Sequence, residues 1–125
     1  MKKSLVVTLG VLLVASSVAW AGRANRFETT VDRAARLAYG SLYDTRVSAD
    51  AVQYIGCSLN LIAGRANLIC EATNAASESL VCQSTNAELI KIAQSVSDSS
   101  YLYFTCDEGN NLTYLAVSNN SIWLR

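Results

Sequence analysis

The sequence predicts a single α+β domain built on an antiparallel sheet and stapled by two disulfides. The middle of the chain alternates apolar and polar residues with period two, which is typical of half-buried strands. Two other segments repeat apolar residues at helical spacing after capping residues. With 125 residues, of which 51% are apolar, the chain is sized for one domain with its own core. The expected order of elements is α-β-β-β-α-β-β.

The first predicted helix spans residues 26–39. Asn25 and Glu28 have the spacing of a capping box, and Gly40 is a plausible stop at the C-terminal end. Apolar residues follow at spacings of three and four and would form one face: Phe27, Val31, Ala34, Ala35 and Ala38. Residues 41–50 show no clear period, so we expect a connection there with at most one short strand.

Three strands are predicted next, as a meander with one apolar face. A strand over 51–61 and a second strand after a turn at 62–65 would pair 61 with 66, 59 with 68 and 57 with 70. A turn at 74–78 would then pair Cys70 with Cys82 and Ala72 with Leu80. In this register each residue of the apolar face meets another, which is consistent with burial of that face.

The second predicted helix follows Thr85, which forms a Thr-x-x-Glu capping box with Glu88. Its apolar face, which would cover the meander, consists of Leu89, Ile92, Ala93 and Val96. Strands at 101–106 and 112–118 flank a turn at 107–111 and form a last hairpin. A short final strand is expected over Ser121–Leu124.

The four cysteines allow three disulfide pairings. The outer strands of a meander lie about 9.5 Å apart, too far for a bridge, which disfavours Cys57–Cys82. Cys57–Cys70 with Cys82–Cys106 is the preferred prediction. Cys70–Cys82 with Cys57–Cys106 remains open. The cysteines have neither the C-x₂-C spacing of a zinc site nor that of a redox pair, so we expect no metal and no cofactor.

Residues 1–21 are typical of a cleaved secretory signal. Lys2 and Lys3 precede an apolar run of about ten residues, which is too short for a membrane span. Ala19-Trp20-Ala21 has the form of a cleavage site. The remaining chain, 22–125, would lose two of ten basic residues and no acidic one, for a net charge of −2. We expect a periplasmic or extracellular protein without a membrane span, where disulfides are the default state of cysteine.

Composition excludes several functional classes. The chain has no His, so no His-based triad or His-ligated metal can form. The balanced charge lacks the basic stripe that nucleic acid requires. Asp107 and Glu108 could serve a small carboxylate-dependent hydrolase, but acids in a turn usually only form the turn. Lys91 is expected on the solvated side of its helix. We therefore expect a binding protein rather than an enzyme.

The outward face of the sheet is the best candidate for a partner surface. If Leu102, Phe104 and Cys106 point inward, Tyr101 and Tyr103 point outward. The predicted surface comprises Val52, Tyr54, Tyr101, Tyr103 and Val117, with Ile69, Val81 and Leu115 nearby. Either the first helix covers this apolar face, or a protein partner or a second copy does.

Parts of the chain from Val52 to Ser121 resemble small secreted proteobacterial proteins of unknown function. The resemblance rests on Gln53-Tyr54-Ile55-Gly56-Cys57, the Cys70 and Cys82 strands, Ser99-Ser100-Tyr101-Leu102 and Val117-Ser118-Asn119-Asn120-Ser121. It implies an exported small domain and adds no information on activity. Separately, the small size, the predicted export, the disulfides and the outward face of tyrosines and valines favour an exported interaction protein, such as an inhibitor or immunity protein. The alternatives are a self-associating surface component and the small hydrolase.

Overall fold

Seven strands form two antiparallel sheets in the computed structural model, which describes residues 25–123. One sheet has the order β1-β2-β6-β7 and the other the order β3-β4-β5. The predicted signal, 1–21, and Leu124 lie outside the described residues. The elements are β1 (Thr30–Asp32), β2 (Leu37–Ser41), α1 (Leu42–Arg46), β3 (Tyr54–Ile62), β4 (Arg65–Thr73), β5 (Ser79–Ser84), α2 (Ala87–Ala93), β6 (Tyr101–Cys106), β7 (Leu112–Ser118) and a 3₁₀ turn (Ser121–Trp123).

The predicted helix over 26–39 is wrong, because this segment is the β1–β2 hairpin. Val31 lies opposite Ala38, and both side chains are buried. Asp32 closes the turn by accepting a hydrogen bond from the main chain of Ala35 at 2.9 Å. β2 then pairs along its whole length with β6. This distant pairing outweighs the local helical pattern, since intrinsic helix preferences are weak.

Gly40 is a site of close packing rather than a helix stop. A Cβ atom at this position would lie 3.1 Å from Cα of Thr29. The segment before β1 therefore crosses β2 closely, and it is anchored there because the main chain of Ser41 donates to the carbonyl of Phe27 at 2.8 Å.

The connection predicted over 41–50 contains α1 and no separate strand beyond the last residue of β2. Ser41 caps α1, with its Oγ accepting from the main chain of Asp44 at 3.3 Å. Asp44 and Thr45 are buried and hold the incoming chain. Asp44 accepts from the main chain of Phe27 at 2.9 Å, and the hydroxyls of Thr45 and Thr29 are 2.8 Å apart.

The meander is confirmed in its register. β3 pairs with β4 so that Cys57 faces Cys70, and β4 pairs with β5 so that Cys70 faces Cys82. The buried residues Leu68, Cys70 and Ala72 lie on one face of β4, as the period-two pattern predicts.

Asn86, not the predicted Thr85, is the N-cap of α2. Its side chain accepts from the main chains of Glu88 at 2.9 Å and Leu89 at 3.1 Å. The helix contacts both β4 and β7, so it covers part of each sheet rather than the meander alone. Ala93 is buried, but Ile92 is 38% exposed. Ile90 takes the expected place of Ile92 against the core.

The last hairpin is confirmed and the final strand is wrong. The pairing of β6 with β7 runs from Tyr101 opposite Ser118 to Cys106 opposite Leu112, and its register shifts once, between Thr105 and Cys106. After β7 the chain forms the 3₁₀ turn instead of a strand. The main chain of Asn25 donates to the carbonyl of Ile122 at 3.0 Å, so the beginning and end of the described chain lie together.

One hydrophobic core lies between the two sheets and corrects the expectation of a single sheet. It combines residues from both sheets with Ala93 of α2; the largest fully buried members are Phe104, Leu68, Leu102, Cys70 and Cys82. The preferred disulfide pairing is confirmed. Cys57–Cys70 joins two strands of one sheet, and Cys82–Cys106 links β5 to β6 and thereby joins the two sheets. Neither helix within residues 25–123 has the length and apolar character needed to cross a bilayer.

Candidate binding surface

The outer face of the four-stranded sheet carries a group of tyrosines. On β6, Leu102 and Phe104 are fully buried, whereas Tyr101 and Tyr103 are partly exposed on the opposite side. The inward and outward alternation predicted for this strand is therefore confirmed. The alternation follows from the pleat of the strand, which turns successive side chains to opposite faces.

The strands beside β6 add two more tyrosines to this face. Tyr39 of β2 lies opposite Tyr103, and Tyr114 of β7 lies opposite Thr105. The rings of Tyr39 and Tyr103 are parallel within 9°, with centroids 5.8 Å apart. Tyr114 meets Tyr103 edge to face, also at 5.8 Å. We call Tyr39, Tyr101, Tyr103 and Tyr114 the tyrosine face.

One end of the tyrosine face is covered by the chain itself. Trp123 stacks on Tyr101 with centroids 4.5 Å apart, and Phe27 packs edge-on against both rings. The indole Nε1 of Trp123 donates to Oγ of Ser118 at 2.9 Å, which holds the ring over the sheet. This burial, with smaller contributions from Tyr39 and Tyr103, raises the pKa of the Tyr101 phenol above its usual value.

The other end of the tyrosine face is open. Tyr103, Tyr114 and Ala116 line a shallow depression of about 630 Å³ together with Tyr101 and Thr105. The Tyr114 residue is 53% exposed. The cover by a first helix, one of the two alternatives, is wrong because no helix forms over 26–39. Phe27 packs on Tyr101 and Trp123 at the covered end, while Val31 and Ala38 turn into the core.

Three residues of the predicted partner surface lie elsewhere. Val117 is paired with Leu102 and packs against the core, which corrects its placement on the outer face. Leu115, its neighbour in the prediction, is buried. Tyr54 begins β3 in the other sheet, and Val52 precedes it. Because the two sheets share one core between them, their outer faces point away from each other.

Tyr54 instead lines a separate cleft of about 680 Å³. The cleft lies at the beginning of β3, between that strand and α1, and its apolar and aromatic lining includes Leu42, Tyr43 and Ile55. Arg46 and Asp98 add one charge of each sign.

The acidic turn at 107–111 is held together by the carboxylate of Asp107. That carboxylate accepts from the main chains of Gly109 and Asn111, both at 2.9 Å. The bond from Asn111 is the main reason that the pKa of Asp107 lies below its usual value. Arg36 donates to the Asp107 carbonyl at 2.6 Å and also contacts the Asn110 side chain. This geometry accounts for Asp107 as a turn former.

Other candidate groups also have structural partners. Lys91 pairs with Glu88 at 3.3 Å on the exposed side of α2. Among the described residues, no three His, Cys, Asp or Glu side chains come close enough to form a metal site. All four cysteines, Cys57, Cys70, Cys82 and Cys106, are in disulfides.

Sequence reasoning missed Tyr39, Tyr114 and Trp123. Tyr39 fell in the wrongly predicted helix, and Trp123 fell in the wrongly predicted last strand. The period-two alternation along β7 could not place Tyr114 on a face. The register of β6 and β7 shifts between Thr105 and Cys106, directly beside the pair of Thr105 and Tyr114.

Two segments that carry the family resemblance meet beside the tyrosine face. The buried hydroxyl of Ser100 contacts the side chain of Asn119, whose Nδ2 donates to the carbonyl of Ser95 at 3.0 Å. These bonds tie the start of β6 to the end of β7 and so position Tyr101 beneath Trp123. Comparisons with protein-family models, curated proteins and solved structures find no match for this chain.

Proposed function

We propose that this chain is an exported, non-enzymatic binding protein that holds a protein target on its tyrosine face. The class that fits best is an inhibitor or immunity protein acting on a secreted toxin or wall hydrolase in the periplasm or outside the cell. The observation that carries the proposal is the open end of the tyrosine face, where Tyr103 and Tyr114 remain accessible.

Tyrosine suits this role because its ring buries a large area while its hydroxyl can still bond. Tyrosines are also enriched among the few residues that dominate binding energy at protein interfaces. On this face, the ring of Tyr103 already contacts the rings of Tyr39 and Tyr114. Little side-chain freedom is then lost when a partner binds, which favours affinity.

The platform beneath these rings is rigid. β2 and β6, the two central strands of the sheet, carry Tyr39, Tyr101 and Tyr103. β6 ends at Cys106, whose disulfide to Cys82 ties this sheet to the other one. A surface held in one shape is suited to recognition of a folded target.

Export is supported by the predicted signal at 1–21 and by two disulfides, which persist in oxidising compartments. The predicted net charge of −2 after signal removal is too small for long-range steering. The target would therefore be recognised by shape and apolar contact.

The test is a pull-down from periplasm and culture medium with the exported chain as bait, followed by affinity measurement on the target obtained. Tyr103→Ala/Tyr114→Ala should weaken binding at least about 30-fold, which corresponds to the loss of one hot spot of about 2 kcal/mol. The matched control is Tyr43→Ala, a comparable exposed tyrosine on α1 that should leave the affinity unchanged.

Three results would contradict the proposal. Unchanged affinity in the double variant would remove the tyrosine face from the interface. Binding of a soluble polysaccharide to the same face would show that the target is not a protein. A hydrolytic activity that the unmodified chain has and the Asp107→Asn/Glu108→Gln variant lacks would favour the carboxylate-dependent hydrolase.

A further inference from the structure

In the part of the chain that the structure describes, the outer edge of β3 has no hydrogen-bond partner. The strand runs for nine residues, Tyr54–Ile62, and pairs on one side only, with β4. Within residues 25–123, no main-chain group of β3 bonds to any segment other than β4. The fold therefore leaves a long row of main-chain donors and acceptors unpaired along this edge, with α1 lying against its beginning.

This edge lacks the features that usually prevent strand addition. Its sequence, YIGCSLNLI, contains no charged residue and no proline, and its pairing with β4 has no irregularity. The other edges differ. β1 has only three residues, and the main chain of Gln83 on β5 donates to the carbonyl of Asn110, just before β7, at 2.9 Å. β7 contacts α2, and its pairing with β6 has an irregularity.

The far end of β3 forms an exposed apolar tip. Pairing between β4 and β5 begins at Leu68, so the end of the β3–β4 hairpin extends beyond the third strand. Leu59, Leu61 and Ile62 are 43%, 73% and 57% exposed. Leu59 and Leu61 lie on the same side of the strand as the buried Ile55.

The near end of β3 forms the cleft of about 680 Å³ described above, lined by Tyr54, Ile55, Leu42 and Tyr43. An apolar projection and a cleft that is partly apolar thus lie at opposite ends of one unpaired strand edge. An antiparallel pair of identical strands brings the end of each strand to the beginning of the other.

We propose that β3 pairs with β3 of a second copy of this chain, about a two-fold axis at Ser58. In this register, Leu61 lies beside Ile55 of the second copy, and Ile62 lies beside Tyr54. Each apolar tip then enters the cleft of the other copy, and the two three-stranded sheets become one sheet of six strands. The interface is self-complementary, as two-fold symmetry requires, and it is separate from the tyrosine face.

The expected dimer is weak. Nine residues at about 3.4 Å each, across a sheet about 10 Å thick, give an edge of about 300 Å² per copy. Stable interfaces bury about 800 Å² per partner, so the strand edge alone falls well short of a stable interface, and the tip and cleft add only part of the difference. We expect a monomer at about 10 μM and a mainly dimeric protein at about 1 mM, a range typical of small interfaces.

Sedimentation of the exported chain over this concentration range tests the proposal. Leu61→Lys should keep the protein monomeric at the highest concentration, because it places a charge in the cleft of the other copy. Val81→Lys is the matched control, since it places the same charge at a 48% exposed position on β5, at the other edge of the same sheet. It should dimerise like the unmodified chain. A monomeric unmodified chain, or equal dimerisation in Leu61→Lys, would overturn the proposal.

Cysteine cross-linking tests the register. Ser58→Cys should form a covalent dimer on mild oxidation, because residues on the two-fold axis lie within the reach of about 7 Å between Cα atoms that a disulfide needs. Gly56→Cys should not form a covalent dimer, since the two copies of residue 56 lie about 14 Å apart in this register. A Cβ atom added at Gly56 would meet no other atom within 4 Å, so the position accepts the new side chain. If the Gly56→Cys variant forms a cross-linked dimer and the Ser58→Cys variant does not, the proposed register is refuted.

Discussion

Removal of the Cys82–Cys106 disulfide tests how the two sheets are held together. The bridge closes a loop of 24 residues in sequence separation. The chain-entropy relation then gives about 3.5 kcal/mol at 25 °C for its constraint on the unfolded chain. Both cysteines are buried in the core, so replacement by alanine also removes packed sulfur. We expect Cys82→Ala/Cys106→Ala to lose about 4 kcal/mol of unfolding free energy.

Urea unfolding at equilibrium, followed by tryptophan fluorescence, measures this loss. For a domain of about 100 residues, the same change lowers the Tm by roughly 15 °C or more. The matched variant is Cys57→Ala/Cys70→Ala, whose bridge spans 13 residues between strands that already pair directly. The same relation gives about 3 kcal/mol for that bridge.

Hydrogen exchange separates the two variants further. Loss of Cys82–Cys106 should increase exchange in both sheets, since this bridge joins them, whereas loss of Cys57–Cys70 should act mainly in β3 and β4. A loss below about 1 kcal/mol for the Cys82–Cys106 variant, or faster exchange confined to β6 alone, would refute this account of the bridge.

Three further predictions concern local structure. The side-chain amide of Gln53 lowers the pKa of Asp50 from its ordinary value of 3.8 to about 2. The stabilisation by Asp50 is therefore present above pH 3.8 and is lost as the pH falls through about 2. The difference in unfolding free energy between the unmodified chain and Asp50→Asn should therefore shrink on acidification; a constant difference from about pH 5 to about pH 2 would contradict this. Gly40→Ala should destabilise by about 1–3 kcal/mol in urea, because the added Cβ meets the main chain of Thr29 at 3.1 Å, and an unchanged midpoint would be inconsistent with that contact. Asn86→Ala should cost about 1 kcal/mol by removing the cap of α2, and Asn86→Ser should restore most of it; equal losses in the two variants would argue against capping.

The features that the sequence predicted correctly depend on neighbouring strands and short turns. The meander register follows from period-two alternation and the turn at 62–65, and the Cys57–Cys70 pairing follows from that register. The alternation of β6 also placed Tyr101 and Tyr103 correctly on the outer face. In each case the information lies within a few residues of the feature.

The wrong predictions concern segments whose conformation is decided by distant residues. Ala38 and Tyr39 lie in a strand because they pair with Phe104 and Tyr103, more than 60 residues later in the chain. In the segment 26–39, the capping residues and the apolar residues spaced three to four apart are compatible with a helix when only local interactions act. Trp123 was misplaced for the same reason, since its position depends on Tyr101 and Ser118.

The sequence by itself determined that no histidine chemistry is possible, because composition does not depend on the fold. It also determined the register of the meander and the outward direction of two tyrosines, because the period-two alternation is a local property. Only the tertiary structure decided that the strands form two sheets, that Tyr39 and Tyr114 complete the tyrosine face, and that one edge of β3 is unpaired within residues 25–123. These features arise from packing between segments far apart in the chain. The free energy of burying a shared core selects them, and no single segment contains that information.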